Sequence, residues 1–82
     1  MQGNKSLPEN TPKVGEAYRH YKGDSYRVKL LAFHSNDGEW MVVYEPLYEN
    51  PAASLFTRPL REWHAMVEWE GRKVLMFTLL NK

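Results

Sequence analysis

The sequence predicts an all-β domain, and three observations support this. Strand-forming residues fill several short segments, and turn residues separate them at intervals of roughly ten residues. Within the clearest segment Tyr26 and Val28 alternate with Arg27 and Lys29, as in a strand with one covered face. The one helical signal, over residues 59–65, is too short to pack as a regular α-helix. Strands must therefore supply the core.

Each element has a local justification. Glycine in Lys22-Gly23-Asp24 and in Asn36-Asp37-Gly38 favours tight turns, and the second is the strongest hairpin signal in the chain. Leu30-Leu31 breaks the alternation, which predicts a bulge. Pro46 should end the pairing of its strand, and Pro59 suits the first position of a helical turn. The predicted strands cover residues 16–21, 25–34, 39–45, 55–58, 66–70 and 73–80.

The last predicted strand is apolar on both faces, which indicates that it closes a barrel. Five or six antiparallel strands with one short helical turn near residues 59–65 favour a small half-open β-barrel of the SH3-like type. A barrel of the OB type is the alternative, although it usually has a longer helix and more residues. Residues 1–13 have one large apolar side chain beyond the initial methionine and two prolines, so we expect a flexible leader followed by a single domain over residues 14–80.

Composition excludes several classes of protein. The chain has 82 residues and no cysteine, which removes disulfide scaffolds, cysteine-ligated zinc and thiol catalysis. Its net charge is +1, but residues 14–82 carry nine basic and nine acidic side chains, so the domain lacks the basic field of a typical nucleic-acid binder. The longest apolar runs, such as residues 40–44, are too short to span a membrane, and the first twenty residues lack a signal-peptide core. We therefore expect a cytoplasmic protein without a membrane partner.

Catalytic and metal-binding motifs do not stand out. The chain has no nucleophile elbow, no phosphate-binding glycine loop and no zinc-protease helix motif. The histidines His20, His34 and His64 are 14 and 30 residues apart, which matches no local metal motif. We expect no metal, no cofactor and no catalysis. The remaining catalytic alternative is an enzyme or ligand-sensing domain that uses His20 with His34.

Aromatic and basic residues are the best candidates for a site. In a barrel of the expected type, residues 18–23, 44–48 and 58–63 should line one groove, where rings and cations can hold a peptide. The candidate ligand-binding residues are Tyr18, His20, Tyr21, Lys22, Tyr44, Tyr48, Arg58 and Trp63. The remaining large aromatic residues, Tyr26, Phe33, Trp40, Trp69 and Phe77, are expected in the core.

The best interpretation is a non-catalytic module that binds a peptide or a partner protein through this groove. A small nucleic-acid-binding barrel is an alternative, with weak binding that disappears as salt is added. We expect a monomer or a weak homodimer.

An ordered set of short motifs resembles one small bacterial family, catalogued as domain of unknown function 1653. The resemblance runs from about Gly15 to Phe77. It implies a compact SH3-like barrel, alone or attached to other domains, and brings no settled activity, cofactor or partner. The chain departs from the family pattern at Phe56-Thr57, where members tend to have an aromatic and a small apolar residue, and at Ala65, where members often carry a glutamate. The motifs are Tyr18-Arg19-His20-Tyr21-Lys22-Gly23, Tyr26-x-Val28, His34-Ser35, Val42-Val43-Tyr44, Leu47-Tyr48 and Arg58-Pro59-Leu60.

Overall fold

The computed structural model describes residue 7 and residues 10–80, and in that part of the chain it shows an all-β fold with one short helix. This confirms the predicted class. The elements are β1 (Ala17–His20), β2 (Ser25–His34), β3 (Glu39–Pro46), β4 (Phe56–Pro59), α1 (Leu60–Trp63), β5 (Met66–Trp69), β6 (Arg72–Leu75) and β7 (Phe77–Leu79).

Five strands form one antiparallel sheet in the order β4-β3-β2-β1-β7, and β5 pairs with β6 in a separate hairpin. The described strands form no closed barrel, because β4 and β7 are the two edges of the larger sheet. The SH3-like type stays a prediction. Among the described residues, no helix has the length and apolar character needed to cross a membrane.

The count of five or six strands was wrong, because the segment predicted as one strand over residues 73–80 is two. Met76 interrupts it, donating its backbone N–H to the carbonyl of Ala65 at 2.9 Å. Its own carbonyl accepts the N–H of Tyr21, also at 2.9 Å. Met76 is thus held between Ala65 and Tyr21, and the residues that follow it form β7, which pairs with β1 rather than with β5.

The local signals within the large sheet are confirmed. The pairing of β2 with β3 shifts register between Val28 and Leu30, where the alternation breaks. Residues 35–38 connect β2 to β3, with the Gly38 N–H donating to the His34 carbonyl at 2.7 Å. The helix α1 follows Pro59 directly and lies within the predicted helical turn.

The core lies against one face of the large sheet, with α1 packed onto it. It contains Tyr18, Val28, Val42, Tyr44, Leu60, Trp63 and Phe77. Pro12 is buried too, although the sequence places it in the leader. Most of the leader, residues 1–6 and 8–9, lies outside the described residues, so its flexibility stays a prediction.

Two aromatic side chains that the sequence assigned to the core are exposed. Phe33 lies near the free end of the β2–β3 hairpin, and Trp69 lies on the β5–β6 hairpin. Phe33 packs edge to face on Trp40 of its own hairpin and Trp69 packs in the same way on Tyr21, and neither residue packs against the core cluster of the described chain. The aromatic content of a segment therefore overstated its burial.

The β5–β6 hairpin provides a test of turn chemistry. Trp69 pairs with Arg72, which leaves the two-residue loop Glu70-Gly71 with φ values of 53° and 81°. A loop with both φ values positive is a type I′ turn, in which glutamate is disfavoured and asparagine is preferred. Glu70→Asn should stabilise the hairpin by about 0.5–1 kcal/mol, slowing hydrogen exchange of the β5 and β6 amides by about two- to five-fold.

The control is Glu68→Asn, which places asparagine within β5 rather than in the turn. It should speed the same amide exchange, because asparagine is a poor strand residue. Equal or faster exchange in Glu70→Asn would contradict the turn assignment.

Candidate binding surface

Three of the predicted site residues lie in the core rather than on a surface. Trp63 is fully buried at 0% exposure, and Tyr18 and Tyr44 are each 6% exposed. The Trp63 ring stacks on Phe77 at a centroid distance of 3.9 Å and meets Tyr18 and Tyr44 edge-on at 5.3 and 5.1 Å. Burial and a hydrogen bond to Glu16 raise the pKa of Tyr18 to about 12. A ligand would therefore contact the side chains that border this core rather than Tyr18, Tyr44 or Trp63.

Two polar side chains border the Phe77 ring on the face of the sheet that carries the core. His20 on β1 is paired with Phe77 on β7, and their rings lie 5.2 Å apart, edge to face. The Arg58 guanidinium carbon lies 5.5 Å from the centre of the same ring. Arg58 enters this face because it is paired with the buried Val42 of β3. The structure thus brings His20 and Arg58 together around one core ring.

Arg58 is held firmly and is incompletely paired. Its Nη1 donates to Glu62 Oε1 at 3.3 Å and to Met76 Sδ at 3.3 Å. Its Nε is buried and has no hydrogen-bond partner within residues 10–80. A buried donor left unpaired costs about 1–3 kcal/mol, so a guanidinium here is a poor choice for stability alone. The side chain remains 28% exposed, so part of it is available to a ligand.

A tight turn fixes His20. The His20 N–H donates to the Asp24 carbonyl at 2.7 Å, and the Gly23 N–H donates back to the His20 carbonyl at 2.7 Å. The imidazole Nδ1 accepts the Lys22 N–H at 3.2 Å, which leaves the proton of the neutral ring on Nε2. Burial, then the charges of Arg58 and Lys22, lower the pKa of His20, against the opposing charge of Asp24.

Tyr21, Lys22 and Trp69 extend this region outward. The Tyr21 ring lies 4.5 Å from His20 and 5.1 Å from Trp69, between centroids. Lys22 Nζ lies 5.8 Å from the centre of the Tyr21 ring. Trp69 is 38% exposed. We name the set His20, Tyr21, Lys22, Arg58 and Trp69 the aromatic–cationic surface.

Sequence reasoning missed Trp69 as a member of this surface. The signal that could have found it is its setting, since Glu68 and Glu70 flank it in the sequence. A tryptophan between two charged residues, next to a glycine turn, is typical of a projecting hairpin rather than of a core strand. Its contact with Tyr21, 48 residues earlier, has no local signature.

Tyr48 lies apart from this surface. Its hydroxyl is 2.9 Å from the Tyr26 hydroxyl and accepts a bond from Asn50 Nδ2 at 2.8 Å. Burial and the hydrogen bond with Tyr48 raise the pKa of Tyr26. Tyr26 in turn lies 6.2 Å from Phe77, so Tyr26 connects Tyr48 to the Phe77 ring. The hydrogen bonds of the Tyr48 hydroxyl hold the loop that follows β3 against Tyr26.

The two histidines of the catalytic alternative do not meet. His20 lies beside the start of β2, and His34 is the last residue of that ten-residue strand, roughly 30 Å away along it. A right-angle bend at the bulge would still leave roughly 20 Å between them. Residues 10–80 hold no group of three histidine, aspartate or glutamate side chains that could bind a metal ion. The structure therefore contradicts a shared site for His20 and His34.

Gly23 fixes the backbone on which His20 and Lys22 depend. Its φ of 114° lies outside the left-handed helical region that asparagine tolerates, and open space surrounds its missing Cβ. Gly23→Asn should therefore lower the free energy of unfolding by about 1–3 kcal/mol through backbone strain alone, as measured in urea.

The matched control is Gly38→Asn. Gly38 has a φ of 68°, which asparagine adopts readily, and its Cβ position is also open. Gly38→Asn should lower the free energy of unfolding by less than about 1 kcal/mol. Equal losses in the two variants would argue against strain at Gly23.

Comparison with known proteins places the chain. A family model described as a protein of unknown function, DUF1653, matches residues 16–79. The chain belongs to the DUF1653 family. The match includes all eight predicted site residues and most of the described structure.

A solved structure agrees with this assignment. The crystal structure of a DUF1653 protein from Bordetella bronchiseptica is 35% identical, with a TM-score of 0.74. The similarity covers 83% of this chain and 86% of that one. A search of curated proteins gave no match. The family description names no activity, so a function must be argued from the surface itself.

Proposed function

We propose that this DUF1653 domain is a non-catalytic module that binds a peptide segment of a partner protein on the aromatic–cationic surface. The observation that carries the proposal is the placement of Arg58. The core face of the sheet holds its guanidinium carbon 5.5 Å from the centre of the Phe77 ring, where 28% of the side chain stays exposed and the buried Nε has no partner among the described residues.

The direction of Arg58 suits recognition. Glu62 and Met76 both contact Nη1, so they fix the group, while 28% of the side chain stays exposed. An arginine held in this way loses little freedom when a ligand binds, which favours affinity. Arginine and aromatic side chains also dominate binding energy at protein interfaces.

The rings beside Arg58 supply the apolar part of the contact. Tyr21 and Trp69 meet edge to face at 5.1 Å, so each ring supports the other. The backbone N–H of Tyr21 is also bound to the Met76 carbonyl at 2.9 Å, which ties the turn to β7. A peptide side chain packing here would meet rings that are already positioned.

Charge favours a peptide over a nucleic acid. Residues 14–82 have equal numbers of basic and acidic side chains. Within the surface Lys22 and Arg58 are the fixed cations, and Glu62 lies against Arg58 at 3.3 Å. Two cations with a nearby carboxylate cannot supply the phosphate contacts that dominate nucleic-acid affinity.

The test is selection from random twelve-residue peptides displayed on phage, followed by NMR titration of the labelled domain with a selected peptide. Amide shifts should concentrate at residues 20–23, 58 and 69. The Tyr21→Ala variant should lose most of the affinity, whereas Phe33→Ala, at an exposed aromatic residue on the far end of β2, should retain it.

Shifts confined to the loop at residues 47–55 or to the far end of β2 would overturn the proposal. So would tighter binding of a single-stranded oligonucleotide than of any selected peptide at physiological salt.

A further inference from the structure

The aromatic–cationic surface has hydrogen-bond donors that nothing in the described chain accepts. Arg58 donates through Nη1 to Glu62 and Met76, its Nε is buried and without a partner among the described residues, and 28% of the side chain stays exposed. The His20 ring carries its proton on Nε2, since Nδ1 already accepts the Lys22 N–H. Lys22 is exposed and lies over Tyr21, and it makes no ion pair with the part of the chain that the structure describes.

The field at this place is positive. Among the charged groups that act on His20, Arg58 and Lys22 outweigh Asp24. Glu62, the acid that contacts Arg58, is shared between Arg58 at 3.3 Å and Arg61 at 3.6 Å. A negative group next to His20 would therefore be attracted by two cations and would meet donors in place.

Rings border these donors. Tyr21 and Trp69 extend from His20, with centroid distances of 4.5 Å from His20 to Tyr21 and 5.1 Å from Tyr21 to Trp69. A peptide that packs an aromatic side chain on Tyr21 and Trp69 can bring the acidic side chain of its next residue to the cations. A terminal carboxylate belongs to the aromatic residue itself and reaches less far from the ring than that side chain.

We propose that the surface recognises an aspartate or glutamate side chain next to an aromatic residue within a partner peptide. The carboxylate lies between Arg58, Lys22 and the His20 ring, and the aromatic side chain packs on Tyr21 and Trp69. This inference rests on the proposed peptide-binding function of the same surface and names the chemistry that the surface selects.

Three synthetic peptides test the inference. The first is Ac-Gly-Ser-Trp-Asp-Ser-Gly-NH2, the second replaces its Asp by Asn, and the third is Ac-Gly-Ser-Gly-Ser-Trp with a free carboxyl terminus. The Asp peptide should bind at least about five-fold more tightly than the Asn peptide, as measured by NMR titration of the domain. The free-terminus peptide should bind no better than the Asn peptide.

A second readout reports on the carboxylate directly. Binding of the Asp peptide should raise the pKa of His20, because a negative neighbour favours the protonated ring, whereas the Asn peptide should leave it unchanged. Lys22→Gln should reduce the preference for Asp over Asn by about two-fold or more. The control Lys29→Gln, at an exposed lysine on β2 that faces Glu45, should keep the full preference.

The outcomes separate this inference from the proposed function. If the Asp and Asn peptides shift the amides of residues 20–23 and 69 with equal affinity, peptide binding stands and carboxylate recognition is wrong. If the free-terminus peptide binds more tightly than the Asp peptide, the inference that the surface recognises an internal acidic side chain is wrong. If no peptide, including those selected from the library, shifts this surface, the proposed function itself fails.

Discussion

Replacing Trp63 with alanine should lower the free energy of unfolding by about 3–5 kcal/mol. Trp63 is 0% exposed and stacks on Phe77 at 3.9 Å, so its removal opens a cavity at the centre of the aromatic core. At about 0.05–0.15 kcal/mol per residue, the described part of the chain has roughly 4–11 kcal/mol in total. Urea unfolding followed by circular dichroism should show a much earlier midpoint.

The matched control for Trp63 is Trp69→Ala, the same substitution at a side chain that is 38% exposed. Trp69→Ala should lower the free energy of unfolding by only about 1 kcal/mol, because removing a partly exposed side chain leaves little cavity. Similar midpoints for the two variants would contradict the core assignment of Trp63.

Replacing Arg58 with methionine should weaken binding of a library-selected peptide by about 10- to 100-fold while leaving stability within about 1 kcal/mol of the parent. The methionine stem can still cover Phe77, and the unpaired buried Nε is removed. Against this gain, the variant loses a half-exposed ion pair with Glu62 and the contact of a cation with a ring. Calorimetric titration and urea unfolding of one preparation measure both effects.

Arg61→Met is the matched control for Arg58. Arg61 lies three residues further along, on α1, and pairs with Glu39 at 2.9 Å on an exposed part of the surface. Its replacement should change peptide affinity little. A large loss of stability with unchanged affinity in Arg58→Met would show that the guanidinium is structural and not part of a binding site.

Local backbone signals were reliable in this chain. The turn at Asn36-Asp37-Gly38, the bulge next to Leu30 and the helical turn after Pro59 all form where the sequence predicts them. Each depends on residues close in sequence, whose allowed dihedral angles are set by their own side chains. The all-β class followed from the same short-range evidence.

The division of the last predicted strand had no local signal. Met76 binds the backbones of Ala65 and Tyr21, which lie 11 and 55 residues earlier. Strand propensity is equally high on both sides of Met76, so the sequence favours one continuous strand. The break depends on pairings that exist only once β1 and α1 are in place.

The candidate site shows the same limit. Four residues that the sequence names as candidates, His20, Tyr21, Lys22 and Arg58, do lie close together. The sequence also selected Tyr18, Tyr44 and Trp63, which have the same chemistry and lie in the core, while Trp69 was assigned to the core and lies on the surface. Residue type reports what a side chain can contact and not which layer covers it.

The sequence by itself determined the all-β class, the positions of the turns, the family and the types of residue available for a site. Alternation along a strand states which residues share a face, because the side-chain period is two. Which face is covered was decided by the tertiary structure, where α1 inserts Trp63 above the sheet and β7 brings Phe77 beside β1. Because of those long-range contacts Trp63 lies in the core whereas Trp69 lies on the surface. The same contacts place Arg58 and His20 beside the buried Phe77 ring.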